Sequence, residues 1–146
     1  MNGRVSTELK PRPGRSIDDE LTSRLALLDG TDRFALLLWR MPDGVPFDLV
    51  DLAAGVTEYI QCAGGVSGRF TCEVRRVGPD GPRQEVIGRA TSDESAVPAE
   101  AVRWAGNETL VRRNEVLDAD EIAELFRSYL ASGDIPARYE TRAVVP

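Results

Sequence analysis

The sequence predicts a single α+β domain in which helices cover one face of a mainly antiparallel sheet. Two capped, amphipathic segments stand near the two ends of the 146-residue chain. Between them lie short apolar or alternating segments separated by Gly, Pro and Asp. Strands that follow one another through tight turns form antiparallel sheets, and an amphipathic helix needs a sheet face on which to bury its apolar stripe. We therefore expect one domain over residues 16–146 behind an N-terminal arm.

Residues 1–15 combine Pro, Gly and basic residues without periodicity, which indicates a flexible basic arm. This arm carries a charge of +3 in a chain whose net charge is −6, so the remaining body carries −9. An acidic body disfavours nucleic-acid binding, because that binding depends on neutralising phosphates with Lys and Arg.

Residues 16–30, SIDDELTSRLALLDG, are predicted to form the first helix. Ser16 is a good N-cap, and Asp19 occupies the capping-box position three residues later. Gly30 is expected to end the helix. One apolar face is formed by Ile17, Leu21, Leu25 and Leu28.

Of the next two segments, the first has a clear secondary-structure pattern and the second is ambiguous. Residues 33–39, RFALLLW, form a short continuous apolar run, which predicts a strand buried on both faces near the centre of the sheet. Residues 47–62 fit a helical face in part, yet residues 56–62 also alternate like a strand. We expect an irregular or helical segment up to Gly55 and then a strand.

Residues 69–77, RFTCEVRRV, show the clearest alternation, with Phe70, Cys72 and Val74 on one side. GPDGP then predicts a turn, and residues 84–90 return as the partner strand. The run 56–90 is therefore expected to be an antiparallel meander with one face in water.

The C-terminal part predicts a hairpin, a helix and a strand. Residues 102–105 and 109–113 flank the turn residues Gly-Asn and read as the hairpin. Residues 117–136 form the best-specified helix, with Asp118 and Glu121 in a capping box. Gly133 suits the left-handed residue after the last turn, and residues 138–144 supply the closing strand.

The amino-acid composition limits the catalytic mechanisms and metal sites that the chain could provide. Histidine is absent, which excludes Ser–His–Asp and Cys–His mechanisms, most zinc sites and the usual proton shuttle near neutral pH. The only lysine, Lys10, lies in the arm, which argues against a buried Schiff-base lysine. An enzyme of carboxylate chemistry remains a third reading, for example through Glu73 with Glu85, although surface ion pairing is favoured for them. We expect no catalytic residue, metal or cofactor.

The two cysteines, Cys62 and Cys72, cannot hold a metal without further ligands. If they face each other across a hairpin, a disulfide is conceivable. The N-terminus lacks the features of a secretory signal, so two buried thiols in a cytoplasmic protein are the favoured expectation. No apolar run approaches the ~20 residues that a membrane helix needs.

The segments NEVLDADEIAELFRSYLASGDIP at 114–136 and YETRAVV at 139–145 resemble the C-terminal layout of the Imm1-type immunity proteins of bacterial polymorphic toxin systems. The resemblance rests on the apolar pair before the capped helix, Phe126 on the helix face, the Ser-Gly-x-x-Pro exit at 132–136 and the final strand. It implies a small cytoplasmic protein that blocks a cognate toxin, often a nuclease or deaminase, by binding without catalysis.

We therefore predict a non-catalytic protein-binding domain whose acidic residues steer a basic toxin, or another basic protein, while apolar neighbours hold it. The predicted recognition residues are Asp93, Glu94, Glu100, Glu115 and Asp120. These acidic residues could instead have only structural roles, as helix-capping residues or as solvated surface charges. The alternative function is a small-ligand or regulatory domain with a pocket between helix and sheet. We expect no membrane partner, and an exposed sheet edge would allow a homodimer.

Overall fold

A computed structural model describes residues 13–14, 16–40, 58–91 and 97–144 of the chain. The predictions for the N-terminal arm, for the segment up to Gly55, and for Asp93 and Glu94 thus fall mostly or wholly outside the described residues. The described helices are α1 (Ile17–Ala26) and α2 (Ala119–Ser132). The strands are β1 (Ala35–Leu38), β2 (Tyr59–Gly64), β3 (Phe70–Gly78), β4 (Gly81–Arg89), β5 (Glu100–Trp104), β6 (Asn107–Val111) and β7 (Tyr139–Ala143).

Five strands form one sheet in the order β1-β2-β3-β4-β7, and each neighbouring pair is antiparallel. The strands β5 and β6 form a separate two-stranded hairpin. The predicted α+β class is therefore confirmed, as is the meander formed by β2, β3 and β4.

Both helix starts follow the predicted capping chemistry. The Ser16 hydroxyl accepts the Asp19 N–H at 3.1 Å, and the Asp118 carboxylate accepts the Glu121 N–H at 2.8 Å. The reciprocal bonds of both capping boxes are present. At the other end of α2, Gly133 adopts the left-handed conformation with φ 78°. In contrast, α1 ends at Ala26, four residues before the predicted Gly30.

The helices bury their apolar faces against one face of the sheet. Phe126 and Leu125 of α2 and Ile60 and Ile87 of the sheet are each 0% exposed. Two leucines of α1, Leu21 and Leu25, join the same core cluster. Apolar burial of this kind contributes about 1.5–3 kcal/mol for each large side chain.

The predicted central position of the apolar strand is wrong. Among the described residues, β1 pairs only with β2 and therefore lies at one edge of the sheet. Leu36 and Leu38 face the core, whereas Ala35 and Leu37 are exposed. The run is apolar throughout, but only every second side chain is covered by the helices.

The β5–β6 hairpin lies on the other face of the sheet. Val86 of β4 is 4% exposed and packs with Val102 and Val111 of the hairpin in a second, smaller cluster. Its neighbour Ile87 points the opposite way, into the core beneath the helices. Thr71 of β3 is also buried, at 5% exposed. The face that was expected to lie in water is therefore covered in part, and this corrects the prediction for the meander.

Candidate functional site

Glu115 lies in the interior and not on the surface as predicted. It is 2% exposed, and its carboxylate accepts hydrogen bonds from Arg142 Nε at 2.9 Å and Nη2 at 2.8 Å. It also accepts the backbone N–H of Arg112 at 2.7 Å. The hydrogen bonds to Glu115 raise the pKa of the Arg142 guanidinium. This burial leaves Glu115 no carboxylate surface for direct contact with a partner.

The other predicted recognition residues within the described ranges are Glu100 and Asp120. Glu100 begins β5 and pairs with Arg69 at 3.4 Å, and both side chains are more than 40% exposed. Asp120 is exposed in the first turn of α2, and its carboxylate has no ion pair or hydrogen bond within the described part of the chain. Since the hairpin and α2 lie on opposite faces of the sheet, the structure does not bring these two acids together.

The other acidic residues of α2 hold the helix to the sheet. Glu121 pairs with Arg89 at the end of β4, with a hydrogen bond of 2.6 Å from Nε. This pairing, first through the hydrogen bonds to Glu121, raises the pKa of the Arg89 guanidinium. Glu124 pairs with Arg138 just before β7. These contacts therefore support a structural role for Glu121 and Glu124, which attach α2 to the sheet.

Antiparallel register lines up side chains on the sheet face away from the helices. One row across the sheet holds Leu37, Gln61, Glu73, Val86 and Arg142, because each is paired with the next. Paired residues point to the same side of a sheet. We call this side of the sheet the open face. The residues of the open face that do not pack against the β5–β6 hairpin are Leu37, Tyr59, Gln61, Glu73, Arg75, Val77, Gln84, Arg142 and Val144.

Polar side chains at the centre of the open face form a hydrogen-bond network. Glu73 Oε2 accepts Gln61 Nε2 at 3.0 Å and Gln84 Nε2 at 2.5 Å. The Tyr59 hydroxyl donates to Gln84 Oε1 at 3.3 Å. Both amides are thereby oriented by one carboxylate, and Glu73 Oε1 remains able to accept a further donor. The side chains of Tyr59, Gln61, Glu73 and Gln84 are all partly exposed. The network is therefore held in one arrangement and is also accessible from the surface.

Apolar side chains accompany this network. Leu37, Val77 and Val144 are 37%, 49% and 39% exposed. Val77 lies two residues beyond Arg75 on β3. Val144 follows β7 and donates its N–H to the Gln84 carbonyl at 2.9 Å, so it lies opposite Gln84. Three of the six large exposed hydrophobic residues of the described ranges thus lie on one sheet face.

The carboxylate pair Glu73 and Glu85 does not form a dyad. Glu73 is paired with Val86 on the open face, whereas Glu85 is paired with Val74, whose side chain is buried in the helix-side core. Glu85 instead accepts a hydrogen bond from Thr141 at 2.8 Å. A glycosidase arrangement needs two carboxyl groups facing one cleft, and these two point to opposite faces of the sheet.

Comparison of the chain with protein-family models, with curated proteins and with solved structures found no match. Within the described ranges, no group of three or more Cys, Asp or Glu side chains is placed to hold a metal ion. No helix of the described part is long and apolar enough to cross a membrane. The geometry of the open face is therefore the main guide to function.

The open face was not predicted from the sequence, although part of it can be derived from the alternation of side chains along the strands. Period-two alternation in YIQC and TCEVR places Tyr59 and Gln61 on one side of β2 and Glu73 on one side of β3. Joining the two sides requires the register, in which Cys62 is opposite Cys72. That register is a long-range property that local patterns do not fix.

Proposed function

We propose that this chain is a non-catalytic protein-binding domain, that it acts in the cytoplasm as an immunity-type inhibitor of a cognate bacterial toxin, and that it holds the toxin on the open face. The observation that carries the proposal is the combination found there. Three exposed aliphatic side chains accompany an oriented network that contains Tyr59 and Glu73. A tyrosine beside apolar surface is typical of the residues that dominate binding energy at protein interfaces.

The charge of the chain supports a basic partner. The net charge is −6, and Glu100, whose side chain is 44% exposed at the start of the hairpin, adds to a negative field on this side of the domain. Such a field accelerates association with a basic protein and does so over roughly one Debye length, about 8–10 Å at physiological salt. Steering therefore does not require such an acid to lie within the contact itself. Asp93 and Glu94 keep the same proposed role.

The fixed network supports recognition of one particular donor group. Glu73 Oε1 has no hydrogen-bond donor among the described residues, and the two amides that bind Oε2 hold the carboxylate in one orientation. A lysine or arginine side chain of the partner would bind there without the cost of ordering Glu73 first. The apolar side chains Leu37, Val77 and Val144 would exclude water around this contact.

The experiment that tests the function is rescue of toxicity in bacterial cells. The product of the neighbouring gene, where it is toxic, is expressed alone and together with this chain. The proposal expects that co-expression restores growth and that the two proteins are purified together. Val77→Asp and Leu37→Asp should weaken rescue, whereas Val97→Asp and Leu110→Asp should not, since Val97 and Leu110 are exposed at 78% and 54% but lie outside the open face. Rescue that is equally lost with all four variants would contradict the assigned surface.

A further inference from the structure

Cys62 and Cys72 lie directly opposite each other on β2 and β3. Both are free thiols, and both side chains are buried in the core between the sheet and the helices, at 1% and 0% exposed. The same row continues to Leu36 on the edge strand β1. The thiols are thus neighbours in one row of side chains, with Leu36 of the short strand β1 next to Cys62.

The type of pairing follows from two backbone hydrogen bonds. Gly65, just after β2, donates its N–H to the carbonyl of Arg69, just before β3, at 3.0 Å, which marks a hydrogen-bonded position at this end of the ladder. Hydrogen-bonded and non-hydrogen-bonded pairs alternate along an antiparallel ladder. Three positions further along, Cys62 and Cys72 therefore form a non-hydrogen-bonded pair. On the other side of β2, Gly64 N–H donates to the Phe34 carbonyl at 2.9 Å, and the same alternation directs the backbone groups of Cys62 towards β1.

This pairing matches the geometry of a disulfide. In a non-hydrogen-bonded pair the Cα atoms are about 4.5 Å apart and the side chains are on the same side of the sheet. Disulfides join residues whose Cα atoms are about 4.4–6.8 Å apart. The two sulfur atoms can therefore be bridged by rotation of the side chains within the existing register.

We propose that Cys62 and Cys72 are a dithiol site that is oxidised to an intramolecular disulfide by a low-molecular-weight disulfide such as glutathione disulfide. The thiolate of Cys62 attacks one sulfur of glutathione disulfide, which breaks that S–S bond and releases one glutathione thiolate. The Cys72 thiolate then attacks the Cys62 sulfur of the mixed disulfide and releases the second glutathione. The two cysteines lose two electrons and two protons, and one glutathione disulfide is reduced to two glutathione thiols.

The edge strand controls access to this site. Burial raises the pKa of the Cys62 thiol to about 12 and raises that of Cys72 well above its usual value of 9.0, so both remain protonated in the closed structure. Strand β1 has four residues and pairs only with β2 among the described residues, so local opening there costs less than opening a central strand. Opening removes Leu36 from beside Cys62, which makes Cys62 the attacking thiol and Cys72 the resolving one.

The equilibrium test uses the unmodified full chain. The folded protein is incubated in glutathione buffers of increasing oxidised fraction, unreacted thiols are blocked with N-ethylmaleimide in denaturant, and the intact mass is measured. The proposal expects a monomer that has lost two hydrogens and accepts no N-ethylmaleimide. A monomer with two blocked thiols at the most oxidising ratio would overturn it. A mixed disulfide with glutathione at equilibrium, or a disulfide-linked dimer, would overturn it as well.

The kinetic test addresses the edge strand. Leu36→Ala should accelerate disulfide formation by about 5- to 30-fold, because loss of one or two kcal/mol of local packing changes the open population by that factor. Leu110→Ala, which changes an exposed leucine of the hairpin, should leave the rate unchanged. Equal rates in the Leu36 variant and the unmodified chain would contradict access through β1. In Cys72→Ser, the reaction should stop at a mixed disulfide on Cys62.

Discussion

The Glu115 carboxylate and the Arg142 guanidinium form a two-point ion pair, with Nε and Nη2 of the arginine at 2.9 and 2.8 Å from the two carboxylate oxygens. The pair joins the short turn that precedes α2 to the last strand of the sheet. Glu115 is 3% exposed at its side chain and Arg142 is 26% exposed. Glu115, which the sequence pattern predicts to be a recognition residue, is thus an internal connection between two elements of the fold.

Glu115→Gln is expected to destabilise the fold by roughly 3 kcal/mol, because it leaves a partly buried arginine without its counter-charge. Urea unfolding followed by circular dichroism measures the change. The matched control is Glu108→Gln, on the exposed side of β6, which should shift stability by less than about 0.5 kcal/mol. Arg142→Gln combined with Glu115→Gln should cost less than the sum of the two single changes. A midpoint unaltered in Glu115→Gln would show that the pair contributes nothing.

Gly88→Ala is expected to destabilise by about 1–3 kcal/mol through overpacking. A Cβ at Gly88 would lie 2.7 Å from Asn114 Nδ2, 2.9 Å from Glu115 Cγ and 3.1 Å from the Asn114 carbonyl oxygen. The glycine therefore lets the turn before α2 lie directly on β4. Thermal unfolding of Gly88→Ala and of Gly78→Ala makes a matched comparison, since a Cβ at Gly78 meets nothing within 4 Å. Equal melting temperatures for the two variants would refute the steric explanation.

Ala105→Asn is expected to stabilise the protein by about 0.5–1 kcal/mol, a fraction of the cost that a left-handed backbone imposes on most L-residues. Ala105 has φ 49° in the turn between β5 and β6, a left-handed conformation that Asn adopts at lower cost than Ala. The backbone N–H of Ala105 also donates to the Gly30 carbonyl at 2.8 Å, and that bond is kept in the variant. Ala137→Asn, at an exposed residue without positive φ, serves as the control. Denaturant unfolding that shows no gain for Ala105→Asn would contradict strain at this position.

Asp29 is expected to titrate below its ordinary pKa of 3.8. Its Oδ1 accepts backbone N–H groups from Thr31, Asp32 and Arg33 at 2.8, 3.0 and 3.1 Å, and these bonds favour the ionised form. Because the folded pKa is lowered, this contribution to stability is present above pH 3.8 and is lost as pH falls through the folded value. Titration of the Asp29 carboxyl by NMR measures the pKa directly, and the acid-induced loss should be smaller in Asp29→Asn. A measured pKa at or above 3.8 would contradict the role of these bonds.

Local features were predictable because their chemistry is local. The capping box of Asp118 and Glu121 and the left-handed Gly133 depend on residues within a few positions of one another. The apolar faces of both helices follow from periodicity in the same way. Boundaries were less well determined, as the early end of α1 at Ala26 shows.

Sheet order and side-chain partners were not predictable in this way. An apolar run such as β1 is compatible with a central strand or an edge strand, and only the packing of distant elements decides between them. The partner of Glu115 is Arg142, 27 residues away in sequence, so no local pattern distinguishes this acid from its exposed neighbours. The open face likewise depends on register across five strands.

The central claim is the proposal that the open face holds a protein partner, and calorimetric titration of the purified product of the neighbouring gene into this chain tests it most directly. Val77→Asp places a charge on the open face, and Val97→Asp places the same charge on an exposed valine elsewhere. The account predicts that Val77→Asp weakens binding by at least about tenfold, equivalent to about 1.4 kcal/mol, while Val97→Asp leaves the affinity unchanged. Equal affinities for the two folded variants would contradict it.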